Sequence, residues 1–309
     1  MASPVDPLAS TPSPVAGLAD AHGGTGASRP SPAGVAEEAP LFVIEPSGSA
    51  IRIDFRELWH YRDLLYFLTW REVSLRYKQT VLGFLWAVLQ PLMTMVVFTV
   101  FLGRLAKVPS DGVPYSVFSY LGLLPWMYFA NAVTRSGSSL VAQANLLSKV
   151  YFPRVLIPLS ATLSALVDFA IALGILFVLM LWNRLVPAPS TLLLIPLTVL
   201  TAVAATGVGM WLAALNVQYR DIQHAMPFLL QIWMYATPVV YPASLVPEKW
   251  RPFFALNPLT GIIEAYRAAA LGRSLDWTSL GISTAVVVGF ALIGAWRFRR
   301  VERLFADIV

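Results

Sequence analysis

Residues 156–182 read LIPLSATLSALVDFAIALGILFVLMLW, an apolar run interrupted by a single acid, Asp168. A stretch this long and this apolar is read as a membrane-spanning helix, because about 20 residues suffice to cross the hydrocarbon core of a bilayer. Five similar stretches accompany it: 81–103, uncharged and carrying Pro91; 115–133, with Pro125 as an expected kink; 191–215; 225–243; and 279–296. Prolines inside such spans are tolerable where neighbouring helices re-satisfy the freed backbone groups.

Whole-chain composition agrees. The 309 residues are 57% hydrophobic and 13% charged, with a mean hydropathy of +0.66. A soluble globule cannot hide that much apolar surface, whereas lipid accepts it as solvent. The sequence therefore predicts an all-α integral membrane protein with six transmembrane helices. The net charge of +5 raises nucleic acid as a partner, but the basic residues sit beside apolar spans, which favours anionic lipid headgroups. With the N-terminus placed in the cytoplasm, fifteen of the 22 lysines and arginines fall on the inner side, so both termini are expected there.

Around the spans lie three different segments. Residues 1–40 are rich in Pro, Ala, Gly and Ser and lack an apolar signal-peptide region, which predicts a disordered tail. Residues 41–80 form a cytoplasmic segment: a short extended piece, then an amphipathic helix expected over 54–79. On that helix Phe55, Leu58, Trp59, Leu65, Tyr66, Trp70, Val73 and Tyr77 share one arc. Arg62 and Arg76 intrude on the arc, and Leu64, Phe67 and Leu68 fall outside it. Aromatics mixed with arginine suit a helix at headgroup level, the other reading being a helix packed on a partner. Residues 81–309 make up the transmembrane domain with a short cytoplasmic C-terminus. Within it, 247–272 is too short and too polar to span, and is expected to dip into the outer face or lie on it. There Asn257-Pro258 reads as an N-cap followed by proline at the first helical position, and Glu264 and Arg267 stand at i, i+3.

Chemistry-bearing motifs are sparse. Cysteine is absent, which excludes disulfides, thiolate metal sites and a cysteine nucleophile, and the three histidines are far apart in sequence. None of Lys78, Lys107, Lys149 and Lys249 follows a glycine, so no Walker A phosphate cradle is present. No G-x-S-x-G, H-E-x-x-H or zinc spacing appears either. The sequence reads as that of a transport protein that is not itself an enzyme, with no catalytic, cofactor-binding or metal residues. Asp168, the one acid inside a span, has three open roles: a structural tie between helices, a place on a translocation path, or a proton relay. Aromatics near the spans serve as interfacial belts and packing, or offer faces on which sugar rings stack. Trp86, Trp126, Tyr128, Phe129, Trp233 and Tyr235, with Asp168, are the path candidates.

The string RYKQTVLGFLWAVLQPL (76–92) resembles the start of the first span in ABC-2 type permeases, more narrowly those of O-antigen and teichoic-acid polysaccharide exporters. GVPY (112–115), GLLPW (122–126), NLLSKVYFPR (145–154), NVQYRD (216–221) and NPLTGIIEAYR (257–267) follow in the order that family has. The resemblance implies a permease homodimer in the bacterial inner membrane, bound to two copies of a separate ABC ATPase subunit that holds ATP and Mg. The implied cargo is an undecaprenyl-linked polysaccharide, with export of a drug, peptide or simpler lipid as the alternative. It further implies that Asn145, Leu146, Leu147, Lys149, Val150, Tyr151, Phe152 and Arg154 form the helix that docks on the ATPase. Short re-entrant periplasmic helices between spans five and six are implied to act as a gate, with Asn257, Pro258, Glu264 and Arg267 as its candidates.

Overall fold

The structure is a computed structural model that describes residues 59–78, 83–147, 149 and 152–302. The expected tail at 1–40, the extended piece at 41–53, the first turn of the helix from 54, and residues 79–82 lie outside these.

Every regular element among the described residues is helical. Helix α1 (Arg62–Lys78) precedes α2 (Gly83–Phe98), which continues as a π-helical stretch, Thr99–Leu105. Then come α3 (Tyr115–Ala142), the single turn α4 (Ala144–Leu147) and α5 (Leu156–Trp182). A 3-10 turn, Pro189–Leu193, leads into α6 (Leu194–Gln218), followed by α7 (Ile222–Tyr235), the short α8 (Arg251–Ala255), α9 (Pro258–Leu271) and α10 (Trp277–Glu302). Among the described residues, four helices are long and apolar enough to cross a membrane: Leu85–Leu105, Leu156–Trp182, Pro189–Gln218 and Trp277–Glu302. The chain is thus a multi-pass membrane protein, helical throughout its described elements.

Two expected spans differ from that set for physical reasons. Helix α3 is long enough but is the interior helix, packed on α2, α5, α6, α7 and α9, with 18 of its 28 residues buried. Facing protein on most sides, it carries Ser119, Ser136, Ser139 and Arg135 where a lipid-facing helix would carry leucine. Helix α7 is the opposite case. Its 14 residues rise only about 21 Å, short of the roughly 30 Å hydrocarbon core. It stops at Tyr235, three residues before Pro238, in the region where the pre-proline restriction acts on Thr237. The expected span 225–243 is therefore helix in its first half and turn in its second.

Helix α1 buries one residue on the expected arc and one off it, Val73 and Leu68. Leu68, placed off the amphipathic arc, is only 1% exposed and packs with Phe152, Leu156, Ile157 and Phe298. Trp59, on the arc, is 70% exposed, and Tyr66 and Trp70 are likewise exposed. One face thus locks onto the bundle and the aromatic face points away from it, as a headgroup-level helix requires. The cluster around Leu68 joins the C-terminal ends of α3, α6 and α10 to the N-terminal end of α5, so these four ends share one side of the bundle.

Helices α6 and α10 cross where Gly207 meets Gly294. A Cβ on Gly294 would overlap the Gly207 carbonyl oxygen, so the close crossing needs both glycines. Gly289, on the same helix, has open space around it. Gly294→Val is expected to destabilise the bundle by about 1–3 kcal/mol through overpacking. Gly289→Val is expected to leave the thermal unfolding midpoint of the purified protein unchanged, and equal losses in both would show that the crossing is not tight.

Candidate functional site

An ionised carboxylate inside an apolar helix cannot be solvated by lipid, so it must find cations or hydrogen-bond donors from neighbouring helices. Asp168 finds both. Its Oδ2 forms ion pairs with Arg76 of α1 and, at 3.0 Å, with Nη2 of Arg135 of α3. Its Oδ1 accepts a 2.5 Å hydrogen bond from the Tyr77 hydroxyl. Burial first, and then the hydrogen bond to this carboxylate, push the Tyr77 hydroxyl up to about 12, so it remains a donor at neutral pH. Of the three roles open to Asp168, the tie between helices is realised: one carboxylate joins α1, α3 and α5.

A second polar link supports the same junction. Gln143, at the C-terminal end of α3, accepts from Nη2 of Arg71 at 2.8 Å and donates to Oε1 of Glu72 at 2.7 Å. Beside the Asp168 cluster lies a cavity of about 160 Å³ between α2, α3 and α5. Trp86 and Gln90 of α2, Tyr128 and Asn131 of α3, and the Arg76–Asp168–Arg135 cluster line it.

The expected path aromatics divide between the two sides of α3. Tyr128 packs on Phe169, ring centroids 5.3 Å apart, on the cavity side. Trp126 and Phe129 pack on Trp233 of α7, with centroids 6.4 and 5.2 Å apart. Trp126, Tyr128 and Phe129 are all buried within one chain, and of the three Tyr128 lines the cavity. Trp86 and Tyr235 are exposed, and Tyr235 takes no part in either ring cluster.

The expected docking segment is also partitioned. Asn145 and Lys149 are exposed, while Leu146 and Leu147 are half-buried against the Leu68 cluster. Phe152 is only 6% exposed and belongs to that cluster's core, which corrects its expected place on an exposed apolar patch. Nη1 of Arg154 donates to the Glu302 carbonyl at 2.9 Å, tying the segment to the end of α10. Val150 and Tyr151 lie outside the described residues.

Helix α9 is more enclosed than expected: 12 of its 14 residues are buried against α3, α6 and α10. Asn257 caps it, its Oδ1 accepting from the Leu259 amide at 3.1 Å, and Pro258 takes the first helical position. Asn257 also receives the Trp233 indole N–H at 3.2 Å and donates to Thr237 Oγ1 at 2.7 Å. At the far end, Gly272 adopts the left-handed conformation that closes the helix, and Ser190 Oγ donates to the Ala269 carbonyl. Glu264 and Arg267, though spaced at i, i+3, form no ion pair with each other. Arg267 is 7% exposed and donates instead to the carbonyls of Pro238 and Val239, at 2.8 and 2.5 Å, while its guanidinium lies 3.9 Å from the Phe118 ring centroid. Helix α7 has ended by then, so those carbonyls have no next turn to bond them, and a buried guanidinium meets that need.

Arg76, Tyr77 and Arg135 were not recognised as one site in the sequence. The available signal was charge balance: a lone acid in a span requires cations, and Arg76 already broke the amphipathic arc of its helix. Nothing local in the sequence marks the partners of Arg267, because they are backbone carbonyls.

Comparison with known proteins places these features in context. The family described as ABC-2 type transporter matches residues 63–271. An O-antigen export system permease protein, RfbA, of Klebsiella pneumoniae is 30% identical over 250 residues, covering 80% of this chain and 95% of its own length. One from Myxococcus xanthus is 35% identical over 216 residues, covering 69% of this chain and 82% of its own. The polysialic acid transport protein KpsM of Escherichia coli is 23% identical over 229 residues, covering 72% and 89%.

Replacing Asp168 by Asn leaves two guanidinium groups close together without their shared anion. Asp168→Asn is expected to destabilise the purified protein by on the order of 3 kcal/mol, and Asp168→Asn with Arg135→Gln to recover part of that loss. Thermal unfolding of the two variants is the measurement. A wild-type midpoint in the single variant would mean that the cluster carries no structural energy.

Proposed function

The chain belongs to the ABC-2 type transporter family, and we propose that it is the membrane permease subunit of an ATP-driven exporter of cell-surface polysaccharide. One observation carries this reading: similarity to an O-antigen export permease extends over 95% of that protein's length. The permease functions as a homodimer with two copies of an ABC ATPase subunit, which holds ATP and Mg. The cargo is a polysaccharide on an undecaprenyl carrier, moved outward across the bacterial inner membrane.

Six crossings follow from the helices when α7 and α9 share the fifth. Their facing ends meet where Trp233 and Thr237 contact Asn257, and α9 then runs out to Gly272 beside the start of α6. In this reading α9 is a re-entrant helix of the periplasmic half, and Arg267 is a latch on the turn that ends α7. The side bearing the C-terminal ends of α3, α6 and α10 is cytoplasmic, which agrees with Lys149, Arg154, Arg297, Arg299 and Arg300 lying there and with both termini inside.

On that side the ATPase docks against α4 and the residues around it. Asn145 and Lys149 are exposed and the outer surfaces of Leu146 and Leu147 are available, whereas Phe152 supports the segment from beneath.

Deleting the gene is expected to abolish surface polysaccharide and to accumulate lipid-linked polymer in the cytoplasm; unchanged surface polymer would exclude this cargo. Leu147→Asp is expected to reduce co-purification of the ATPase and export together, because a carboxylate in an apolar docking groove costs several kcal/mol. Phe152→Asp is expected to lose folded permease instead, since the new charge lies in the core. Undiminished ATPase capture by folded Leu147→Asp would move the docking surface elsewhere.

A further inference from the structure

A single turn of helix cannot sustain itself, because fixing its first residues costs more than one hydrogen bond returns. Helix α4 (Ala144–Leu147) is such a turn, set between two long helices. Gln143 joins it to α3. The backbone amide of Gln143 donates to the Ser139 carbonyl at 3.0 Å and closes α3. Its carbonyl accepts from the amides of Leu146 and Leu147, at 2.9 and 3.2 Å, and opens α4. One residue thus ends one helix and starts the next.

The side chain of Gln143 ties this junction to α1. It is 8% exposed, and its amide spans two adjacent residues of that helix, accepting from Arg71 at 2.8 Å and donating to Glu72 at 2.7 Å. A primary amide both accepts and donates, so it fits between a guanidinium and a carboxylate, where a carboxylate or an ammonium would satisfy only one of them. Each bond has a charged partner and belongs to the stronger kind. Leu146 and Leu147 pack against the cluster that contains Leu68 of α1, with Phe152 in its core. Helix α1 therefore meets the junction twice, through the Gln143 bridge and through the apolar cluster, while Asn145 and Lys149 are exposed.

We propose that Gln143 is a positioning residue for ATPase docking: its bridge to Arg71 and Glu72 holds α4 pre-formed in the orientation that the ATPase subunit binds. The inference rests on the reading of α4 as the docking segment. Gln143 acts through Leu146 and Leu147, whose amides its carbonyl receives, so that the turn need not be ordered when the complex forms.

The test is titration of the ABC ATPase subunit onto the full-length permease in phosphatidylcholine nanodiscs, read as a dissociation constant. The thermal midpoint of the permease alone is measured beside it. Gln143→Leu is expected to weaken binding about tenfold, since the turn must then be ordered on binding. Gln143→Glu keeps an acceptor for Arg71 but sets a carboxylate against Glu72, and is expected to weaken binding similarly. Gln143→Glu combined with Glu72→Gln again places a donor opposite an acceptor, and is expected to return the dissociation constant to within about twofold of wild type. Gly122→Ala controls for general loosening. A Cβ there overlaps the Val239 carbonyl oxygen, toward the other end of α3, so the midpoint is expected to fall while binding stays.

Wild-type affinity in folded Gln143→Leu or in Gln143→Glu would overturn the positioning role. So would failure of the double variant to recover binding, or a loss in Gly122→Ala as large as that in Gln143→Leu. Should Gln143→Leu not fold, Gln143→Glu and its double variant decide. Leu147→Asp separates this inference from the docking reading beneath it. Undiminished binding in Leu147→Asp removes α4 as the docking segment, whereas its loss alongside unaffected Gln143 variants leaves docking in place and ends only the positioning role.

Discussion

The carboxylate of Asp168 is the constraint around which one half of the bundle is arranged. Lipid offers it no solvent, and desolvating a charge without partners costs far more than any single packing contact returns. Its partners come from two other helices, Arg76 and Tyr77 from α1 and Arg135 from α3. Satisfying one charge therefore sets the height of the surface helix against the bundle and the relative register of α3 and α5. The Arg71–Gln143–Glu72 link, near the C-terminal end of α3, fixes the same helices a second time. The cavity between α2, α3 and α5 is lined at one end by this cluster.

The other half of the molecule is arranged around backbone groups. Helix α7 ends part-way through the bundle, and its terminal turn presents the carbonyls of Pro238 and Val239 to the interior. Arg267 reaches them from α9, and Tyr115 at the start of α3 donates its hydroxyl to the Val240 carbonyl at 2.6 Å. Gly122 makes the approach possible, since a Cβ there would overlap the Val239 carbonyl oxygen. Asn257 closes the arrangement by capping α9 while contacting both Trp233 and Thr237. A helix that ends inside a bundle is stable only where protein replaces the missing hydrogen bonds, and here Arg267 and Tyr115 supply them to the carbonyls of Pro238, Val239 and Val240.

Much of this was legible in the sequence, and the failures have particular causes. Apolar run length located α5 to the residue, and α6 and α2 with its π-helical continuation to within three residues. It ended α3 at 133, nine residues before Ala142, and α10 at 296, six before Glu302, because polar and basic residues continue both helices. The Asn257-Pro258 signature was sound because N-capping is local chemistry that depends on two adjacent residues. Residues 225–243 misled because composition cannot tell a continuous span from a helix that stops before Thr237-Pro238. Leu68 fell outside the arc because the periodicity of α1 was read from its aromatics, and Trp59, Tyr66 and Trp70 turn away from the bundle while Leu68 and Val73 turn toward it. Glu264 and Arg267 have the spacing of a helical ion pair, yet buried carbonyls compete for the same guanidinium and prevail. Phe152 looked like a docking residue because a loop phenylalanine carries no mark of the helices that will cover it.

As an ABC-2 type permease, the chain is a conduit that depends on a separate ATPase for energy. Proteoliposomes containing the permease with its ABC ATPase subunit, supplied on the ATPase side with lipid-linked polysaccharide, test that claim most directly. Polymer is expected in the opposite compartment only when both subunits and hydrolysable ATP are present. Equal transfer by the permease without the ATPase, or ATP hydrolysis by the permease alone, would contradict it.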